Sequence, residues 1–112
     1  MRKTLLTVSA MALLLGGVAT EASGTSVRAA ASKRATVGDD FFSPTTMKIS
    51  RGSAVVWTWH GSNGHSVTEI NGRFDSKVRS SGSYRHKFTR KGTYKIFCVV
   101  HPDDMRMTIV VR

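Results

Sequence analysis

The chain has 112 residues, with 17 Lys and Arg against 7 Asp and Glu, a formal charge of +10, four His, five Met and one Cys. That length accommodates one domain and excludes a large multidomain enzyme, and an apolar content of 40% is too high for a chain disordered throughout. A lone Cys rules out an intramolecular disulfide, a cysteine-rich zinc site and a two-cysteine redox motif.

Met1-Arg2-Lys3 gives a positive start, and Leu5 to Ala19 is an uncharged, largely apolar run of 15 residues. The run is short for a membrane span, contains Gly16-Gly17 and is followed by small residues. This pattern predicts a secretory signal peptide over residues 1–22, with cleavage after Ala19 or Ala22. An uncleaved anchor is the alternative. The lack of a twin Arg points to export of an unfolded chain, so a cofactor would be loaded outside the cytoplasm, in the periplasm or beyond the cell. Residues 23–34 are small, polar and basic, and are expected to be a flexible lead-in. Loss of residues 1–22 removes Arg2, Lys3 and Glu21, two of the 17 bases and one of the 7 acids, which lowers the charge from +10 to +9.

Residues 35–112 form the expected domain. No stretch there sustains helical periodicity, whereas short alternating or β-branched runs recur between turn signals. The predicted strands are Ala35–Val37, Met47–Ile49, Val55–Trp59, His65–Ile70, Tyr84–Phe88, Thr93–Val99 and Met107–Val111. Val55, Trp57 and Trp59 fall on one face of their strand, and Met107, Ile109 and Val111 on one face of the last. Seven short strands at this spacing predict an all-β sandwich in a single small domain. An exported domain of this size without a disulfide needs another source of stability, and a bound metal would serve.

Cys98-Val99-Val100-His101-Pro102-Asp103-Asp104-Met105 lies near the C-terminus, and His65 follows the strand Val55–Trp59 across a Gly-rich loop. One thiolate, two imidazoles and a thioether make a soft ligand set, suited to copper in a trigonal His₂Cys arrangement with a weak axial Met. Cys98 ends a strand, and a tight loop brings His101 and Met105 back to the same point. An unpaired thiol in an exported protein argues for an occupied site over a merely buried Cys. His60 and His86 lack this spacing. His86 stands between Arg85 and Lys87 and is expected to be exposed. Asp103 and Asp104 lack an accompanying nucleophile or oxyanion donor and form no acid/base pair.

The sequence resembles the plastocyanin/amicyanin-like cupredoxins, the small type 1 blue copper proteins, over residues 35–112. The likeness runs through Phe42-Ser43-Pro44, Ile49-x-x-Gly52-x-x-Val55-x-Trp57, Gly64-His65-Ser66-Val67, Phe74-Asp75-Ser76, Gly92-Thr93-Tyr94 and Cys98-x-x-His101-Pro102. It implies a Greek-key β-sandwich, one type 1 copper ion, and His65, Cys98 and His101 as equatorial ligands. Many short-loop relatives read His-Pro-x-Met, whereas two Asp separate Pro102 from Met105 here. Met105 remains the expected axial ligand because Met105-x-Met107-x-Ile109-x-Val111 follows the family's closing pattern, with Met107 facing the core. Ser66 replaces the usual Asn, which in the family bonds across to the cysteine loop. Gly64 replaces a common Pro and would let its carbonyl approach the metal.

These features predict a one-electron carrier rather than an enzyme, since type 1 copper leaves no open position for substrate. Copper sequestration or delivery is the alternative, and a metal-free structural sandwich is the third class. The basic residues between Arg73 and Lys95 suggest an acidic redox partner, or an anionic membrane surface, met by a monomer. Export and the lack of a nucleic-acid motif argue against nucleic acid.

Overall fold

The computed structural model describes residues 31–112. The expected signal peptide at 1–22 lies outside the described residues, as does most of the expected lead-in. Eight strands form in chain order: β1 (Ser32–Gly38), β2 (Phe41–Ser43), β3 (Thr46–Ile49), β4 (Ala54–Trp59), β5 (Thr68–Glu69), β6 (Ser83–Lys87), β7 (Gly92–Phe97) and β8 (Arg106–Val111). They make two four-stranded sheets, in the orders β2-β1-β4-β6 and β3-β8-β7-β5. The described residues contain no helix. The molecule is therefore the all-β sandwich that the turn spacing predicts.

β1 starts earlier than expected. Ser32, Lys33 and Arg34 belong to the strand and pair in parallel with Ala54, Val55 and Val56. Their side chains are exposed, so no apolar pattern marks them, but backbone pairing with β4 needs none. Ser32 to Arg34 of the expected lead-in are therefore strand. β2 is an added strand, joined to β1 by a two-residue turn, Asp39-Asp40. Asp40 takes φ 73°, a left-handed conformation that Asp tolerates better than most residues. Gly38 precedes this turn because a side chain there would overlap the Phe41 ring. In contrast, the expected strand His65–Ile70 contracts to Thr68–Glu69, with His65 held only by an isolated bridge to Arg79.

The core forms where the two inner faces meet. Val55, Trp57 and Trp59 are buried from β4, and Met107, Ile109 and Val111 from β8, as the alternation predicts. Trp57 is fully buried, and its indole N–H donates to Met107 Sδ at 3.4 Å across the sandwich. Met107 thus faces the core, as expected. Phe88 and Tyr94 are also buried, and the Tyr94 hydroxyl donates to the Arg90 carbonyl at 2.7 Å. On edge strand β6 the exposed positions are Ser83, Arg85 and Lys87, so charge covers a sheet edge that would otherwise invite pairing.

The same strand corrects one expectation. His86 is half-buried and lies flat on Phe74, with centroids 4.0 Å apart and planes at 23°. It meets Phe88 edge-on at 4.8 Å and 84°. Tyr84, His86 and Phe88 share one face because the strand period is two. The charged neighbours Arg85 and Lys87 point the other way. His60 is exposed.

Candidate metal centre

Three segments meet at one end of the sandwich: the β1–β2 turn, the loop after β4, and the loop between β7 and β8. Cys98 follows directly on β7, and its backbone N–H donates to the Met105 carbonyl at 3.1 Å, closing the last loop. Inside it, the His101 carbonyl accepts from Asp104 N at 3.3 Å and Met105 N at 3.0 Å. The extra Asp is thereby taken up in a turn of helix-like geometry. Met105 still returns to the interior, with no exposed surface.

His65 is fixed through its backbone. It exchanges hydrogen bonds with Arg79 at 2.9 and 3.0 Å, and its carbonyl accepts the Trp59 indole N–H at 3.1 Å. The Arg79 guanidinium lies over the Trp59 ring, 5.4 Å from its centroid. Gly64, just before it, leaves room for Val78, whose Cγ1 a Cβ at 64 would meet at 2.9 Å.

The four residues expected to ligate converge at this end. Cys98 and His65 are fully buried, with Cys98 Sγ 3.8 Å from His65 Nδ1. The His65 and His101 rings are 5.4 Å apart at 40°. Met105 is brought to this end by its backbone, whose carbonyl accepts from Cys98 N and whose N–H donates to the His101 carbonyl. His101 differs, its side chain being 33% exposed. Val99 and Val100, just before it in the chain, are 47% and 48% exposed, so apolar surface adjoins the one ligand candidate that reaches solvent.

Hydrogen bonds brace the thiol. Cys98 Sγ accepts from Ser66 N at 3.3 Å and Val100 N at 3.4 Å. Ser66 Oγ accepts from Val99 N at 3.0 Å and pairs with Thr68 Oγ1 at 2.8 Å. Ser66 therefore makes the bond to the cysteine loop expected of that position, with a shorter side chain.

Sequence reasoning missed two carboxylates. Asp39 Oδ1 lies 3.1 Å from His65 Nε2, and Asp40 Oδ1 lies 2.8 Å from His101 Nε2. Asp40, His65 and His101 bring potential ligand atoms within 4.8 Å of one another, a trio joined to Cys98 through His65. Asp39 also accepts the backbone N–H groups of Ser62 and Asn63, at 3.0–3.1 Å. Those two N–H groups, and then His65, hold its carboxyl below the usual carboxylate range. Gly61 permits this arrangement, because a side chain there would overlap the Asp39 carboxylate. The available signal was Gly38-Asp39-Asp40-Phe41, a polar turn between extended residues.

The donor chemistry fits a copper ion. Cys98 Sγ and His65 Nδ1 lie 3.8 Å apart, near enough for one ion to touch both. A buried thiol with two N–H donors, two imidazoles and a thioether is a soft set that favours copper over hard cations.

Comparison with known proteins agrees. A search of curated proteins found no match. Among solved structures the chain is similar to a purple cupredoxin from Nitrosopumilus maritimus, with 25% identity and a TM-score of 0.61, covering 71% of this chain and 99% of that one. It is similar to a reduced Cu(I) form of an amicyanin variant, with 23% identity, a TM-score of 0.66, and coverage of 77% and 87%. A copper-containing nitrite reductase from Thermus scotoductus also matches, with 21% identity and a TM-score of 0.62 over 71% of this chain, but only 22% of that chain is covered. The model of the copper-binding proteins of the plastocyanin/azurin family matches residues 29–112. The match takes in the whole described sandwich and its metal end, and this chain belongs to that family, whose cofactor is a type 1 copper ion.

Proposed function

We propose that the protein is an exported one-electron carrier in which His65, Cys98, His101 and Met105 would hold a copper ion. Copper supplies the electron chemistry by cycling between Cu(I) and Cu(II). The observation that carries this reading is the uneven burial of the donors. Cys98, His65 and Met105 have no exposed surface, whereas the His101 side chain is part-exposed in the same loop as the exposed Val99 and Val100. Such a site keeps water from the thiolate and leaves one edge for an electron to cross.

The residues around it restrain movement. Arg79 and Trp59 pin His65, the turn after His101 pins Met105, and Ser66 ties the loop of Cys98 to that of His65. Donors that shift little between oxidation states keep the reorganisation small. The N–H groups of Ser66 and Val100 draw electron density from the sulfur and stabilise the electron-rich form. His65, Cys98, His101 and Met105 would all be engaged by the ion, and no enzymatic role is proposed.

Export rests on residues 1–22. The partner is an acidic redox protein, drawn by the +9 charge of the mature chain and by Arg85 and Lys87 on edge strand β6. Asp40, Asp103 and Asp104 are exposed close to His101, so the attraction to an acidic partner acts away from these residues, at the strand edge.

The test is the visible spectrum of the purified mature domain after addition of Cu(II), followed by voltammetry. An intense thiolate charge-transfer band with a reversible one-electron wave is expected. Weak absorption would overturn the reading. A colourless protein that takes up only Cu(I) would point to sequestration or delivery.

A further inference from the structure

The tight turn Asp39-Asp40 places two consecutive carboxylates on the two imidazoles: Asp39 on His65 Nε2 at 3.1 Å and Asp40 on His101 Nε2 at 2.8 Å. We propose that this turn is a double clamp that fixes the tautomer and orientation of both copper-binding histidines. The inference rests on the copper reading above and assigns positioning roles to Asp39 and Asp40.

An ionised carboxylate only accepts hydrogen bonds, so each bonded Nε2 must carry the proton. In a neutral imidazole the lone pair then belongs to Nδ1. His65 Nδ1 is the atom that faces Cys98 Sγ at 3.8 Å. The clamp thus presents the correct nitrogen before any metal arrives.

The two carboxylates are secured differently. The loop after β4 holds Asp39, through Ser62 N and Asn63 N, with Gly61 giving it room. The hairpin backbone holds Asp40, since Gly38 pairs with Phe41 on either side of the turn. Asp40 is 61% exposed and sits on the one ligand that also reaches the surface. It therefore adds negative charge at the electron exit and restrains an imidazole that the buried core does not enclose. A carboxylate on the far nitrogen makes the imidazole a stronger donor, and its charge favours Cu(II) over Cu(I).

Four variants test the clamp: Asp40→Ala, Asp40→Asn, Asp39→Asn and the double Asn variant. Nitrogen-proton NMR of the metal-free protein at about pH 8, where free imidazole is neutral, reads the tautomers directly. Nε2–H is expected at both His65 and His101 in the parent, with His101 becoming mixed in Asp40→Ala. In copper-loaded protein, Asp40→Ala should shift the equilibrium toward Cu(I) by about tenfold, which is about 59 mV for one electron. Asp40→Asn keeps an acceptor and should fall between parent and Ala. Asp39→Asn retains the bonds to the loop better than Ala would, so the test survives if a truncation there fails to fold.

Unchanged tautomers together with an unchanged potential in Asp40→Ala would overturn the proposal. Loss of the intense band in a folded Asp40→Asn protein would overturn it differently, by making Asp40 a ligand. If the parent protein shows no intense band, the copper-carrier reading fails, while the metal-free NMR still decides the clamp.

Discussion

His65 and His86 are both packed into the sandwich beside other rings, yet their surroundings offer a ring nitrogen opposite things. Around His65 stand a carboxylate, a thiol and a second imidazole, at 3.1, 3.8 and 5.4 Å. Around His86 stand Phe74, at 4.0 Å face to face, and Phe88, at 4.8 Å edge to face. One site fixes a tautomer and aims a lone pair, whereas the other simply packs an aromatic body. Burial alone therefore does not distinguish a ligand. A nitrogen with a carboxylate on one side and a soft donor on the other does.

The widest separation between the two regions should come from Cys98→Ser. The variant is expected to lose the charge-transfer band completely, together with any rise in melting temperature on adding copper. The metal-free fold should persist, because a hydroxyl can still accept from Ser66 N and Val100 N. Calorimetry with and without copper checks this, and a full copper-induced rise in the Ser variant would refute the thiolate's role. The converse experiment is Phe88→Ala. Phe88 is 1% exposed and touches Phe74, His86 and Tyr94. Its truncation should cost about 3–5 kcal/mol in urea unfolding, while the band of the protein that remains folded stays in place. A moved band would mean that the aromatic end controls the metal end.

Ser66→Ala probes the boundary between fold and site. Ser66 is fully buried and links Val99 N and Thr68. Leaving those groups unpaired should cost about 1–3 kcal/mol and also shift the band, since the loop of Cys98 loses the side-chain half of its tie to the His65 segment. A stability loss without any spectral shift would make Ser66 purely structural.

The strands with strict alternation, β4 and β8, were legible because burial follows period two directly in the sequence. β2 was not, being three residues long and defined by its pairing with β1. The start of β1 was hidden for a related reason: Ser32 to Arg34 bury backbone hydrogen bonds and no apolar side chain. At the site, Cys98, His101 and Met105 are close in sequence, and the soft donor set singled out His65 as their companion. Asp39 reaches His65 across 26 residues and Asp40 reaches His101 across a longer gap, so no local pattern connects them. His86 is the opposite case. The period that places Tyr84 and Phe88 inward places His86 with them, and charge on its immediate neighbours says only what faces outward.

The smallest expected effect isolates His86 by pH. Burial against the rings pushes its pKa below the ordinary 6.5, and the charge of Glu69 opposes this only in part. The folded state thus binds a proton less readily than the unfolded chain. Its contribution to stability is present above about pH 6.5 and is lost as pH falls through the lowered folded-state value. His86→Phe keeps the stack on Phe74 and removes the titration. The urea midpoint of the parent should therefore drop more steeply than that of His86→Phe between about pH 8 and about pH 5. Every other residue is the same in both proteins, so the difference between the two curves belongs to position 86. Parallel curves would show that this imidazole protonates as easily folded as unfolded, and the contrast between a ligand histidine and a packing histidine would then rest on geometry alone.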